Sequence, residues 1–147
     1  MSDRLLVIGV GNRDRGDDAV GPIVCDLLDE LGPPEIETLV FEGSVLDLPV
    51  HWSSSDRVVV VDASEPNGEP GRITELDGLS EGFVAHGSFS THTIDVGSAI
   101  KLARVLERLP RELTIIGIEA ESFEFGAPLT PAVQRAVGRA VATIRRR

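Results

Sequence analysis

The sequence holds one cysteine, Cys25, in 147 residues. That excludes an internal disulfide, a four-cysteine zinc site and a CxxC redox pair, and it fits a reducing cytoplasm. Positive charge is also scarce: 14 Lys and Arg stand against 24 Asp and Glu, a formal net charge of −10. Affinity for a phosphate backbone comes from clustered basic side chains, so the balance excludes a nucleic-acid partner. The basic residues are scattered until Arg145-Arg146-Arg147, which reads as favourable charge at the negative end of a helix. Long hydrophobic runs are lacking too. Met1-Ser2-Asp3-Arg4 leads into a short apolar strand rather than a signal-peptide core, and no apolar run reaches the length of a membrane span. The expectation is a cytoplasmic protein, neither exported nor embedded in a membrane.

Two catalytic signatures are missing as well. There is no GxSxG elbow, and Ser44, Ser64 and Ser90 lie in no nucleophile motif. "GVGNRD" begins like the dinucleotide fingerprint GxGxxG, but the third glycine position is Asp14, where close helix packing needs no side chain. Cys25 falls beside the apolar stripe of a helix and reads as a small core residue. His51 and His86 have no acidic or cysteine partner at a ligand spacing and read as surface residues.

What is present is the pattern of an α/β domain. Hydrophobic content of 41% beside 26% charged residues is that of a compact folded chain, and the length fits one domain over residues 1–147. Apolar runs alternate with helical periodicity, which predicts a mainly parallel sheet. The predicted strands are Leu5 to Val10, Ile36 to Phe41, Val58 to Val61, Arg72 to Leu76 and Leu113 to Ile118. Val58-Val59-Val60-Val61 is continuous rather than alternating, as in a central strand covered on both faces.

Val20, Ile23, Val24, Leu27, Leu28 and Leu31 form a helical stripe, and Pro22 must lie in the first turn, so that helix starts near Asp17 or Asp18. A second helix follows Asp95 through Val96, Ala99, Ile100, Ala103 and Leu106, and ends before Pro110. Thr130 caps the last, with Pro131 at its first position and Val133, Ala136, Val137, Ala140, Val141 and Ile144 on one face. A short helix is predicted over Ser44 to Trp52. Asp77 to Thr91 is a long loop with Gly78, Gly82 and Gly87.

The chemistry gathers at one edge. Ligands of open parallel sheets bind outside the carboxyl ends of the strands, and there the first strand delivers Asp17 and Asp18. A glycine-rich turn that held phosphate would not carry Asp14, Asp17 and Asp18; carboxylates there call for a cation. Asp62 ends the valine run in "VVVVDAS", and His92, in "STHTID", lies just before the helix opened by Asp95. Two carboxylates and an imidazole suit a borderline divalent ion such as nickel or zinc better than calcium or magnesium. Each residue also has a plainer reading: Asp18 as an acid in a helix's first turn, Asp62 as the cap of a turn, His92 as an exposed loop histidine.

Taken together, "GVGNRDRGDDAVG", "VVVVDAS", "STHTID" and "LTIIGIEAESFEFGAPLTPAV" resemble the hydrogenase maturation endopeptidases, from Leu5 to about Ile144. The ordered set is the specific part: a GxGN turn with an acidic pair, a strand-ending Asp, then a His before a helix. The family's three metal-contacting positions match Asp18, Asp62 and His92.

The resemblance implies a single-domain three-layer α/β/α sandwich with a mainly parallel twisted sheet. It implies an endopeptidase that removes the C-terminal extension of a nickel-iron hydrogenase large-subunit precursor after nickel insertion. The nickel arrives with that substrate, and Asp18, Asp62 and His92 probe it and act in catalysis. A protein of another class, a nickel-sensing or metal-carrying accessory of hydrogenase assembly without cleavage, would carry the same site. The chain departs from the pattern at Arg13-Asp14-Arg15, where relatives often have an apolar stretch, and at Glu42-Gly43-Ser44, where a DGG turn is common. Arg13, Asp14 and Arg15 are therefore expected to touch the precursor rather than the metal.

Overall fold

The structure, a computed structural model, describes residues 4–42, 45–80 and 96–147; of Val45 only the backbone is described. Its centre is a five-stranded sheet in the order β2-β1-β3-β5-β4. The strands are β1 (Leu5–Val10), β2 (Ile36–Phe41), β3 (Arg57–Ser64), β4 (Ile73–Asp77) and β5 (Glu112–Glu119). β1 pairs in parallel with β2 and β3, and β3 with β5, while β4 runs antiparallel to β5. All five predicted strands are present. Every residue of β1 is buried, and so are Val58 to Ala63 of β3, as their unbroken apolar runs require when both faces are covered.

The helices are α1 (Val20–Leu31), α2 (Val96–Val105) and α3 (Pro131–Arg145). Period-two alternation divides the sheet between two cores. Val59, Val61 and Ala63 face α1 and α3 and meet Val24, Leu28, Val137 and Ile144; Val58 and Val60 face α2 and meet Leu48, Trp52 and Ile100. The result is the three-layer α/β/α sandwich. Each of the largest buried side chains, Ile116 for one, would cost about 2–5 kcal/mol on truncation to alanine.

Three local expectations are refined. The short helix expected over Ser44 to Trp52 is a 3-10 helix, Val45–Val50; Pro49 inside it has no N–H for a longer ladder. The first helix opens with a 3-10 turn, Gly16–Ala19, before α1 proper, which leaves Pro22 in the first α turn. Thr130 stands at the N-cap of α3, but its hydroxyl turns away from the helix to donate to the Asp17 carboxylate at 2.8 Å. The predicted loop from Asp77 to Thr91 lies mostly outside the described residues, as do His86 and His92. His51 is exposed and Cys25 buried, as expected; loss of solvent pushes the Cys25 thiol up to about 12, so it is no nucleophile at neutral pH. No helix among the described residues is long and apolar enough to cross a membrane.

Strand order locates the functional edge. From β1 the chain passes through α1 to β2 on one side, whereas β3 joins β1 on the other, so the direction of winding reverses between β1 and β3. Such a reversal leaves a crevice at the carboxyl ends of the two strands, where ligands of this architecture bind.

Candidate functional site

The turn that leaves β1 is built for close backbone approach. A Cβ on Gly21 would stand 2.6 Å from the carbonyl oxygens of both Val10 and Val61, so α1 begins against the ends of β1 and β3 together. Gly11, at φ 148°, could not carry a side chain without colliding with the Asp18 carbonyl. These glycines thus bring the 3-10 turn down onto the crevice. That explains a GxGN start without any phosphate site.

Asp18 sits in this turn and is fully buried. Its Oδ2 accepts the Asn12 N–H at 3.0 Å and lies 3.8 Å from Nη1 of Arg15. Asp62 is fully buried as well, and its place corrects the expectation that it follows the strand. β3 runs on to Ser64, with Asp62 opposite Gly117 of β5, because the β5 pairing continues three residues past the last β1 pair, Gly9 with Val61. Asp62 is therefore the first residue of β3 beyond β1, on the face of Val58 and Val60. Its Oδ1 accepts the N–H of Ala63 at 2.9 Å. Asp18 Oδ1 and Asp62 Oδ2 are likewise removed from solvent.

The structure thus carries Asp18 and Asp62 to the same crevice. His92 falls outside the described residues, four positions before α2, the helix that covers the Asp62 face of the sheet. Among the described residues no three His, Cys, Asp or Glu side chains group as a metal site. The two aspartates supply hard oxygen donors, and one imidazole would complete a set suited to nickel.

Two roles were not legible in the sequence. Asp17, the other half of the acidic pair, faces away from the crevice and acts as a clamp. Its Oδ2 accepts the N–H groups of Glu121 (2.8 Å) and Ser122 (3.1 Å) and the Thr130 hydroxyl, and its Oδ1 accepts the Thr130 N–H at 2.8 Å. Its donors lie 104 to 113 positions away, so no local signal announces them. Arg15 is the second. Far from standing free for a partner, it is half-buried, paired with Asp18 and stacked on Phe123; its spacing of three from Asp18 was the available hint. Arg13 is also engaged within the chain, in a two-pronged pair with Asp26 of α1 at 2.6 and 2.9 Å that raises its own proton affinity and depresses that of Asp26. Asp14 is exposed, and its backbone N–H donates to the Asn12 side-chain oxygen at 2.8 Å.

A family model for hydrogenase maturation proteases matches residues 42–147. The chain is similar to the hydrogenase 2 maturation protease of Escherichia coli, with 27% identity across 89% of this chain and 82% of the relative. It is 30% identical to the coenzyme F420 hydrogenase subunit delta of Methanothermobacter thermautotrophicus, across 95% of this chain and 91% of that one. Its fold superimposes on the hydrogenase maturating endopeptidase HybD of Escherichia coli with a TM-score of 0.80 and 26% identity, covering 96% of this chain and 89% of that structure.

Proposed function

Because this chain belongs to the hydrogenase maturation protease family, we propose that it cuts the C-terminal extension from a nickel-iron hydrogenase large-subunit precursor once nickel is in place. We further propose that Asp18, Asp62 and His92 meet that nickel. The endopeptidase activity comes with the family, and the proposed site of action is the cytoplasm.

The observation that carries the proposal is the delivery of two fully buried aspartates to the reversal point between β1 and β3. Two carboxylates on one buried edge create a field that favours a cation, met in part by the Arg15 guanidinium 3.8 Å from Asp18. Asn12 and Ala63 orient the two groups through backbone N–H bonds, so their geometry is fixed before any substrate arrives. Nickel presented in the precursor's own ligands would polarise the scissile carbonyl or activate water. The chain's part is to grip that ion, align the peptide beside it and leave an unloaded precursor uncut.

Incubation of the protein with matched nickel-loaded and metal-free precursor tests this. The loaded precursor is expected to shorten and the metal-free one to persist. Equal shortening of both would contradict the reading of nickel, and no shortening of either would contradict the proposed substrate.

A further inference from the structure

The two arginines of the turn differ in how they are held. Arg13 grips Asp26 with two hydrogen bonds of 2.6 and 2.9 Å, a locked geometry. Arg15 approaches Asp18 only to 3.8 Å, which is an ion-pair distance and beyond a hydrogen bond. Its guanidinium carbon lies 4.8 Å from the centroid of the Phe123 ring, and its backbone bridges to Phe125. Charge and stacking therefore hold it, with no directional bond to Asp18. The Arg15 side chain is 23% exposed, whereas that of Asp18 is fully buried.

We infer that Arg15 is a specificity-determining residue whose guanidinium stands in for a cation at Asp18 Oδ2, so that a divalent ion takes its place at that oxygen by displacing it. The inference rests on the reading of Asp18 as a metal-contacting residue. A free ion must compete with a charge that is already seated. An ion anchored in a precursor arrives with the binding energy of the whole docked surface, and that energy can be spent on moving Arg15 aside. Preference for nickel in its protein ligands over nickel in solution follows. The loose seat is what makes such displacement feasible, since a pair bonded like Arg13 with Asp26 would have to break two short hydrogen bonds first.

Calorimetric titration of cadmium ion into the full-length protein tests this, with wild type, Arg15→Gln, Arg15→Lys, Asp18→Asn and the Arg15→Gln/Asp18→Asn double variant compared, each checked by a thermal melt. Arg15→Gln is expected to bind cadmium about tenfold more tightly than wild type, and Arg15→Lys, which keeps the charge, to stay within about twofold. Asp18→Asn should abolish the gain in the double variant. Phe123→Leu, which removes the stacking platform and keeps Arg15, should tighten binding in the same direction by a smaller factor, and it carries the test if Arg15→Gln does not fold. Equal or weaker cadmium binding by Arg15→Gln, with Asp18→Asn still weakening both backgrounds, would overturn the role of Arg15 and leave Asp18 as a ligand. Cadmium affinity unchanged by Asp18→Asn in either background would overturn the Asp18 reading and this inference with it. Undetectable binding by wild type and Arg15→Gln alike would also overturn it.

Discussion

Four acidic side chains are buried among the described residues, and they divide between two regions of the carboxyl edge of the sheet. Beside β5, Asp17 and Glu119 tie distant segments together: Asp17 takes donors from residues 121, 122 and 130, and Glu119 Oε2 accepts the N–H groups of Asn67 and Glu69 at 2.9 and 2.6 Å. At the β1/β3 crevice, the backbone bonds of Asp18 and Asp62 are local, six positions and one position away. A carboxylate buried to hold a fold together recruits N–H groups from across the chain, because desolvation must be offset by strong donors. We propose that Asp18 and Asp62, whose backbone bonds are local, are the pair that meets an ion from outside. The neighbours Asp17 and Asp18 thus differ in reach, with backbone partners 104 to 113 positions away for one and six for the other.

The largest expected effect follows from removing charge at the crevice. Asp18→Asn, Asp62→Asn and His92→Ala should each lower cleavage of nickel-loaded precursor by about 100-fold or more, the worth of several kcal/mol of charge stabilisation. Their melting temperatures should stay near wild type, and for His92→Ala the stability change should be within about 0.5 kcal/mol. Cleavage assays beside thermal melts check this; a variant that cuts normally leaves the set. On the β5 side the effect is on stability. Asp17→Ala strands the donors of Glu121, Ser122 and Thr130 and should cost about 2–4 kcal/mol, read as a lower urea midpoint. A midpoint near wild type would erase the contrast between the two regions.

A smaller effect belongs to the exposed pair of Arg13 and Asp26. Arg13→Ala should cost less than about 1 kcal/mol, as surface pairs do. The Arg13 hydrogen bond holds the Asp26 carboxyl below the usual range, so its contribution is fully present above the unfolded carboxyl pKa of about 3.9 and fades as pH falls through the lower folded value. Melts of wild type and Arg13→Ala should therefore differ at pH 7 and converge as pH drops below about 4. A gap that persists in acid would mean that Arg13 acts through packing.

Strand positions were readable from the sequence because buried runs such as Leu5 to Val10 have few alternatives to a central strand. The strand limit at Val61 was not, since Asp62-Ala63-Ser64 breaks the apolar run and only pairing with β5 extends it. The crevice could be foreseen from the rule that ligands sit beyond the carboxyl ends of parallel strands. The division of labour in Asp17-Asp18 could not, because it depends on a loop more than a hundred residues away. Likewise Arg13 and Arg15 look alike as charges in a turn, and only Asp26 and Phe123, brought in by α1 and the segment after β5, separate them.

The most direct measurement is anomalous diffraction from crystals soaked in cadmium. One peak is predicted at the β1/β3 crevice, within coordination distance of the carboxylates of Asp18 and Asp62 and of an imidazole nitrogen of His92. Peaks only elsewhere, with these three side chains pointing apart, would contradict a shared site.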